Sequence, residues 1–326
     1  MSWTPLPRLA VAWCAAILGL AACGGSGRGG DAAAEPTGPI VAAVVRGDGV
    51  LVPFATFEAG KWTSPHDSSI AGLAAPWFAD RLDALGTWAL QTPLALTDLL
   101  GQPLTVRVTG DPVQVASHCE RVWGLPTDLP GTPTPDREVH RNVGVAFAGD
   151  AAPSVVTQLG PSPGETDKSL TYLGPLFDAA ESRAAAERSG RGGYEPREIG
   201  LAVAKAPLAL TRLHRVGRVD GVELYLFEVV RRYEPARPYD CDRMTVMTGW
   251  LAEGRLGALS LLDSRTRLTD CHRKGSAIVQ PMAALELGRH LVVFTIDLHY
   301  EDETYSVFQV GPNAVSRALS VSGGGC

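Results

Sequence analysis

Asp297, His299 and Glu301 are the residues whose types and spacing best suit metal or acid–base chemistry. Side chains alternate along a strand, so these three share one face while Ile296, Leu298 and Tyr300 share the other. Two positions apart on a strand means about 6.5–7 Å, within reach of one cation held between them. A site of three ligands also wants further ligands and partners that fix the imidazole tautomer, and the following segment offers little beyond Ser306 and Gln309. The expectation is therefore a solvated strand face running into the turn Glu301-Asp302-Glu303, with no metal. Gly160-Pro161-Ser162-Pro163-Gly164 spells the G-x-S-x-G of a nucleophilic serine. That elbow needs a strand turning sharply into a helix, and two prolines followed by Gly164-Glu165-Thr166-Asp167 read as a solvated loop instead. Trp62, Trp77, Trp88, Trp123 and Trp250 could stack on sugar rings, but packing is the commoner fate of tryptophan. No H-E-x-x-H, Walker A, S-x-x-K or EF-hand spacing occurs, and no cofactor is expected.

A different chemistry is written at the N-terminus. Arg8 and the free amine precede an apolar run from Leu9 to Leu20, then Leu20-Ala21-Ala22-Cys23, then the glycine-rich stretch Gly24 to Gly30. The run is shorter than the roughly 20 apolar residues that span a bilayer. Charged start, apolar segment and small residues at a cut are the layout of an export signal. Leu20-Ala21-Ala22-Cys23 resembles the lipobox of bacterial lipoproteins. That resemblance implies a signal peptide over residues 1–22, cleavage before Cys23 and a diacylglyceryl group on its thiol, with palmitate-type chains as the anchor. Two or three acyl chains hold a protein stably on a membrane, where one is marginal. By the family's sorting rule, Gly24 rather than aspartate after the cysteine implies the outer membrane in a Gram-negative host. Residues 23–39 then form the lipidated cysteine and a flexible tether with a span of roughly 20–25 Å.

The elements that must position everything else are strands. Ile40 to Val45 and Val50 to Phe57 flank Gly47-Asp48-Gly49, a hairpin signal; the turn explains Arg46-Gly47-Asp48 without invoking cell adhesion. Further strands are expected at 104–108, 113–117, 143–148, 154–159, 198–203, 208–213, 222–230, 244–251, 256–262, 291–298 and 305–310. Glycine, proline or aspartate punctuates most of the gaps. This is an all-β pattern of many short antiparallel strands, propeller-like or a sandwich. Arg218-Val219-Asp220-Gly221-Val222 echoes the first hairpin, which favours repeated blades. One short surface helix is expected over Phe177 to Arg188, with a single helical turn at Asp80 to Leu85. Residues 40–326 form the β-rich domain, with a possible two-part division near 176–197.

Beyond Cys14 and Cys23, an even set of cysteines remains: Cys119, Cys241, Cys271 and Cys326. In an exported chain that invites disulfides, and sequence alone allows three pairings. Across a hairpin centred on Gly254-Arg255-Leu256-Gly257, partner positions add to a constant near 511, and Cys241 with Cys271 comes within one of it. Cys326 follows a Gly323-Gly324-Gly325 arm that could reach Cys119. No C-x-x-C pair supports zinc. A net charge of −6 and a pI near 5.7 speak against nucleic acid as a partner. The resulting expectation is a lipid-anchored envelope protein, a non-enzymatic binding or scaffold module for an envelope protein or glycan. The alternative is an exported hydrolase acting on glycan with carboxylates dispersed in sequence.

Overall fold

The computed structural model describes residues 38–65, 87–91, 104–117, 119–131, 142–149, 153–154, 156–159, 163–189, 206–233 and 243–325. Ala33–Cys326 form a single compact unit. The expected signal, lipobox and tether as far as residue 37, and the expected elements at 80–85 and 198–203, lie outside the described residues.

The fold is all-β with one helix. The first sheet uses β1 (Ile40–Arg46), β2 (Val50–Glu58), β3 (Lys61–Thr63), β4 (Thr87–Gln91), β5 (Thr105–Arg107), β6 (Val113–Ser117), β7 (Glu120–Pro126) and β8 (Asn142–Ala148). Its order is β5-β4-β8-β1-β2-β7-β6, with β3 on β2. Two short strands follow, β9 (Pro153–Ser154) and β10 (Thr157–Gln158), then helix α1 (Pro163–Ser189). β11 (Leu208–Val219), β12 (Val222–Tyr233), β13 (Arg243–Glu253) and β14 (Leu259–Thr269) make one meander, edged by β10. β15 (Ile278–Leu287), β16 (His290–Leu298), β17 (Asp302–Val310) and β18 (Val315–Gly325) make another, edged by β9.

Alternation along the strands decides the layering. In β16, Val292, Phe294 and Ile296 point into one core with Ile40, Val44, Phe54 and Phe147 of the first sheet. Leu291 and Val293 point the other way, into a second core with Val216, Leu224, Leu226 and Trp250. The β15–β18 sheet is thus the middle layer, buried on both faces between the first sheet and the β11–β14 sheet, here the third sheet. Residues of β1 also divide: Val41, Ala43 and Val45 face a separate core lined by Trp88, Val106 and Leu125 of the same sheet, which curls into a half-barrel. The far face of the third sheet packs on α1 through Leu213, Phe227, Val229 and Met247. Sheets stacked face to face realise the sandwich alternative; the two Asp-Gly hairpins fall in different layers, so their echo marks a shared turn rather than shared blades. The β11–β12 turn sets Asp220 and Gly221 at φ of 51° and 79°, the two positive values that a tight hairpin of matching twist demands.

Three expectations need correction. The helix starts at Pro163, not Phe177, and is no loose surface insertion. Proline suits a first helical position, because its missing N–H would go unpaired there anyway; Leu170, Leu173, Phe177 and Ala180 then recur on one side and pack on the third sheet, Leu173 and Phe177 at 0% exposure. Strands β11 to β14 are longer than expected, at 11–12 residues. β3, β4, β7, β15 and β18 were not expected at all.

Candidate functional site

The acid–base candidates do not converge. β16 ends at Leu298, and period-two alternation ends with it. Asp297 is turned toward the third sheet and is 9% exposed, so it is not a solvated face residue. Burial pushes its carboxyl above the usual range, opposed by a hydrogen bond that Thr295 Oγ1 donates to Oδ1 at 3.2 Å and by the charges of His299, Arg317 and Arg265. His299 sits in the β16–β17 turn, its backbone N–H donating to the Asp302 carbonyl at 2.9 Å, and Glu301 is exposed. Among the described residues no three His, Cys, Asp or Glu side chains are arranged to hold a metal ion.

The other candidates are dispersed. Ser162 lies outside the described residues, and the segment after it is helix. Trp62, Trp88 and Trp250 are core residues, Trp123 is half-buried, and Trp77 lies outside the described residues. Arg46 is buried and pairs with Asp48 through Nε–Oδ1 at 3.2 Å and Nη2–Oδ2 at 3.0 Å. An adhesion reading of Arg46-Gly47-Asp48 therefore fails, because the guanidinium is not presented. Cys119 and Cys271 are each disulfide-bonded, while Cys23, Cys241 and Cys326 lie outside the described residues.

What the structure does bring together is a polar gap between the middle and third sheets. Near one end the gap is apolar, with Trp250 against Phe308 at 5.3 Å between ring centroids. Farther along, the facing residues turn polar. The third sheet contributes Glu228 from β12 and Arg212 and His214 from β11, where Arg212 lies opposite Glu228 and His214 opposite Leu226. The middle sheet contributes Thr295, Asp297 and Ser306, all buried. Arg273 sits in the turn after β14 at φ 58° and grips Glu228 with both guanidinium nitrogens, Nη1–Oε2 at 2.7 Å and Nη2–Oε1 at 3.0 Å. Thr211 Oγ1 adds a third bond to Glu228 at 2.7 Å. Burial alone would raise the Glu228 pKa, and Arg273, Thr211 and Arg212 outweigh it, so this carboxyl stays ionised below the usual range. His214 has the opposite fate: burial and the neighbouring Arg212 charge lower its pKa to about 4, and its Nε2 has no hydrogen-bond partner.

The two sheets also end on one side in edge strands. β14 and β18 are the outermost strands of their sheets on that side. A bulge opposite Trp250 and Leu251 puts Asp263 across from Trp250, and Arg265 and Arg267 follow it on the same face toward the middle sheet. Gly249 makes this close pairing possible, since a Cβ there would lie 2.3 Å from the Asp263 carbonyl oxygen. On the other side Arg317 lies opposite Phe308, facing the third sheet. All three arginines are exposed.

Two more buried polar centres act as fasteners. Arg231 joins Glu181 at 2.5 Å and Asp178 at 2.9 Å, and Tyr233 bonds the same Glu181, so α1 is tied to the third sheet by charge as well as by packing. Glu303, Tyr305 and Asn142 form a cluster between the first and middle sheets, with Asn142 Nδ2 3.2 Å from the Tyr305 hydroxyl. Separately, a cleft of about 670 Å³ opens beside Gly38 and Pro39, between the β2–β3 and β15–β16 turns. Phe57, Leu287 and Val292 give it apolar walls, and Glu58, His290 and Gln309 a polar rim.

Sequence reasoning reached Asp297 but not Arg265, Arg273, Arg317, Glu228 or His214, which are polar residues dispersed over four strands and a turn with no shared motif. No family model, no curated protein and no solved structure matches this chain.

Proposed function

We propose that this protein is a lipid-anchored component of the bacterial cell envelope, cut before Cys23, acylated there and tethered by residues 24–39, whose body binds an envelope partner rather than turning over a substrate. Leu20-Ala21-Ala22-Cys23 and the glycine-rich tether after it support the anchoring. Disulfide-bonded Cys119 and Cys271 suit an oxidising compartment outside the cytoplasm. The observation that carries binding over catalysis is the use made of buried carboxylates. Glu181, Glu228 and Glu303 are each held by a cation or hydroxyl of this chain, which is how carboxylates fasten a fold. A glycan hydrolase wants two carboxyl groups free to face a glycosidic bond across a cleft.

Within this reading Cys241 pairs with Cys271 and Cys119 with Cys326. The last pair of the β13–β14 hairpin is Met244, three residues after Cys241, opposite Thr269, two residues before Cys271. Ser117 Oγ donates to the Gly323 carbonyl at 3.2 Å, which sets the turn holding Cys119 against the chain just before Cys326.

The test combines intact-mass analysis with detergent-phase partitioning of the chain expressed in its host. The mature N-terminus should be Cys23 carrying acyl mass, and Cys23→Ala should abolish both. An unmodified N-terminus elsewhere refutes the anchor. Release of reducing ends from envelope glycan by the purified protein refutes the non-enzymatic reading.

A further inference from the structure

We propose that the arginine-bordered mouth of the gap between β14 and β18 recognises anionic groups, carboxylate or phosphodiester, carried along an envelope glycan. This rests on the binding reading above and names the ligand class.

The argument is one of placement. Arg317 lies opposite Phe308, Phe308 touches Trp250, and Trp250 lies opposite Asp263, two residues before Arg265. The chain of neighbours runs from one edge strand through Phe308 and Trp250 to the other, so Arg317 and Arg265 stand on facing edge strands, both near Asp297. Arg267 extends the row at the next same-face position of β14. None of the three arginines has an ion-pair or hydrogen-bond partner among the described residues. The buried or half-buried Arg46, Arg231 and Arg273 are engaged by carboxylates, whereas exposed arginines elsewhere, such as Arg289, also stand without an ion pair among the described residues. Three exposed guanidinium groups with no direct ion pair stand there beside two carboxylates, Asp263 and Asp297, on a chain of net charge −6. Arg265 and Arg317 act on Asp297 by charge alone. The acidic groups at the mouth are exposed Asp263 and buried Asp297, and Asp297 bonds Thr295.

The chemistry selects the ligand class. Guanidinium forks pair bidentately with carboxylates and phosphates. Ser320 and Ser322 on β18 face the same side as Arg317 beyond the bulge and are exposed, adding hydroxyls suited to sugar hydroxyls. Arg265 and Arg267 repeat two residues apart along the edge strand β14, as a polymer with repeated charges requires.

The experiment uses the full mature protein, purified in detergent, with oligogalacturonate as the carboxylated probe, poly(glycerol phosphate) as the phosphodiester probe and dextran as the neutral control. Tryptophan emission reports binding, since Trp250 lies under the mouth. Wild type should bind at least one polyanion, more weakly as salt rises, and should ignore dextran. The double variant Arg265→Gln/Arg317→Gln should bind at least about tenfold more weakly, because two charge-assisted contacts are gone. Arg289→Gln, an exposed arginine in the β15–β16 turn, should stay within about twofold of wild type. Binding of neither polyanion at low salt overturns the proposal. So does a correctly folded double variant, by circular dichroism, that binds like wild type. Such failures with Cys23 acylated reject this mouth alone; a missing acyl group rejects the anchor whatever the polyanion data say.

Discussion

Lowering the pH should loosen this fold through His214 well before the carboxylates titrate. The imidazole is 6% exposed, on β11, with Arg212 and Glu228 on the same face. Its pKa falls from 6.5 to about 4, first through burial and then through the Arg212 charge, with Glu228 opposing. A folded-state pKa below the unfolded one means that the unfolded chain takes up the proton first. Stability is therefore intact above pH 6.5 and is lost as pH falls toward 4. The shift corresponds to at most about 3 kcal/mol across that window, and about 2 kcal/mol of it should be gone by pH 5. Glu228 and Glu253, whose pKa values are lowered, add their own loss only below the normal carboxylate range. Asp297 works in the other direction, since its raised pKa makes the folded state the better proton acceptor as pH falls. Urea titrations at half-unit steps between pH 7.5 and 4.5, on wild type and His214→Leu, separate these effects. Wild type should lose stability relative to the variant with a slope approaching about 1.4 kcal/mol per pH unit below pH 6. Parallel curves between pH 7 and 5 would refute the reasoning and mean that the imidazole is not held neutral by its surroundings.

Phe177→Ala should cost about 3–5 kcal/mol by urea unfolding, because it empties the centre of the contact between α1 and the third sheet. Arg231→Ala should cost about 3–5 kcal/mol, since it leaves the buried Glu181 carboxylate without its cation, and a compensating Glu181→Gln should recover part of that loss. Gly249→Ala should destabilise by about 1–3 kcal/mol and disturb the β14 bulge, visible as a changed Trp250 emission spectrum. Peptide mapping without reductant should recover Cys241 joined to Cys271 and Cys119 joined to Cys326; reduction should lower the melting temperature, and a Cys119–Cys271 peptide would overturn that pairing.

Much of the β architecture was legible because two codes coincide along the chain. Asp-Gly turns between β-branched runs fixed the β1–β2 and β11–β12 hairpins, where local preference and tertiary pairing agree. β15 was illegible because Pro281 reads as a breaker. In the sheet that proline is tolerated by a bulge between Pro281 and Ala283, and by β9 pairing only with Ala284 and Leu285, so the proline stretch behaves as an edge. Alternation correctly separated Asp297 from Ile296, but alternation says which residues share a face and not what covers it. The middle sheet is covered on both sides, and Asp297 is buried in consequence. α1 was cut short for a similar reason, because Pro163 and Pro175 outweighed the apolar recurrence of Leu170, Leu173 and Phe177. The arginine-lined mouth left no trace in the sequence, since it joins β14 to β18 across an intervening half of the folded C-terminal region.

The middle layer is made of strands that follow both flanking sheets in the chain, Ile278 onward, apart from two residues of β9. The first and third sheets therefore emerge with their inward faces bare: Ile40, Val44 and Phe54 on one, Leu224, Leu226 and Trp250 on the other. Neither can be covered until β15 to β18 have left the machinery that makes or moves the chain. Those two faces are obliged to wait, and while waiting they can close on each other or on a neighbouring chain. Loss of even one of the strands β15 to β18 would leave that error permanent, so quality control of this protein is in effect a reading of its middle layer.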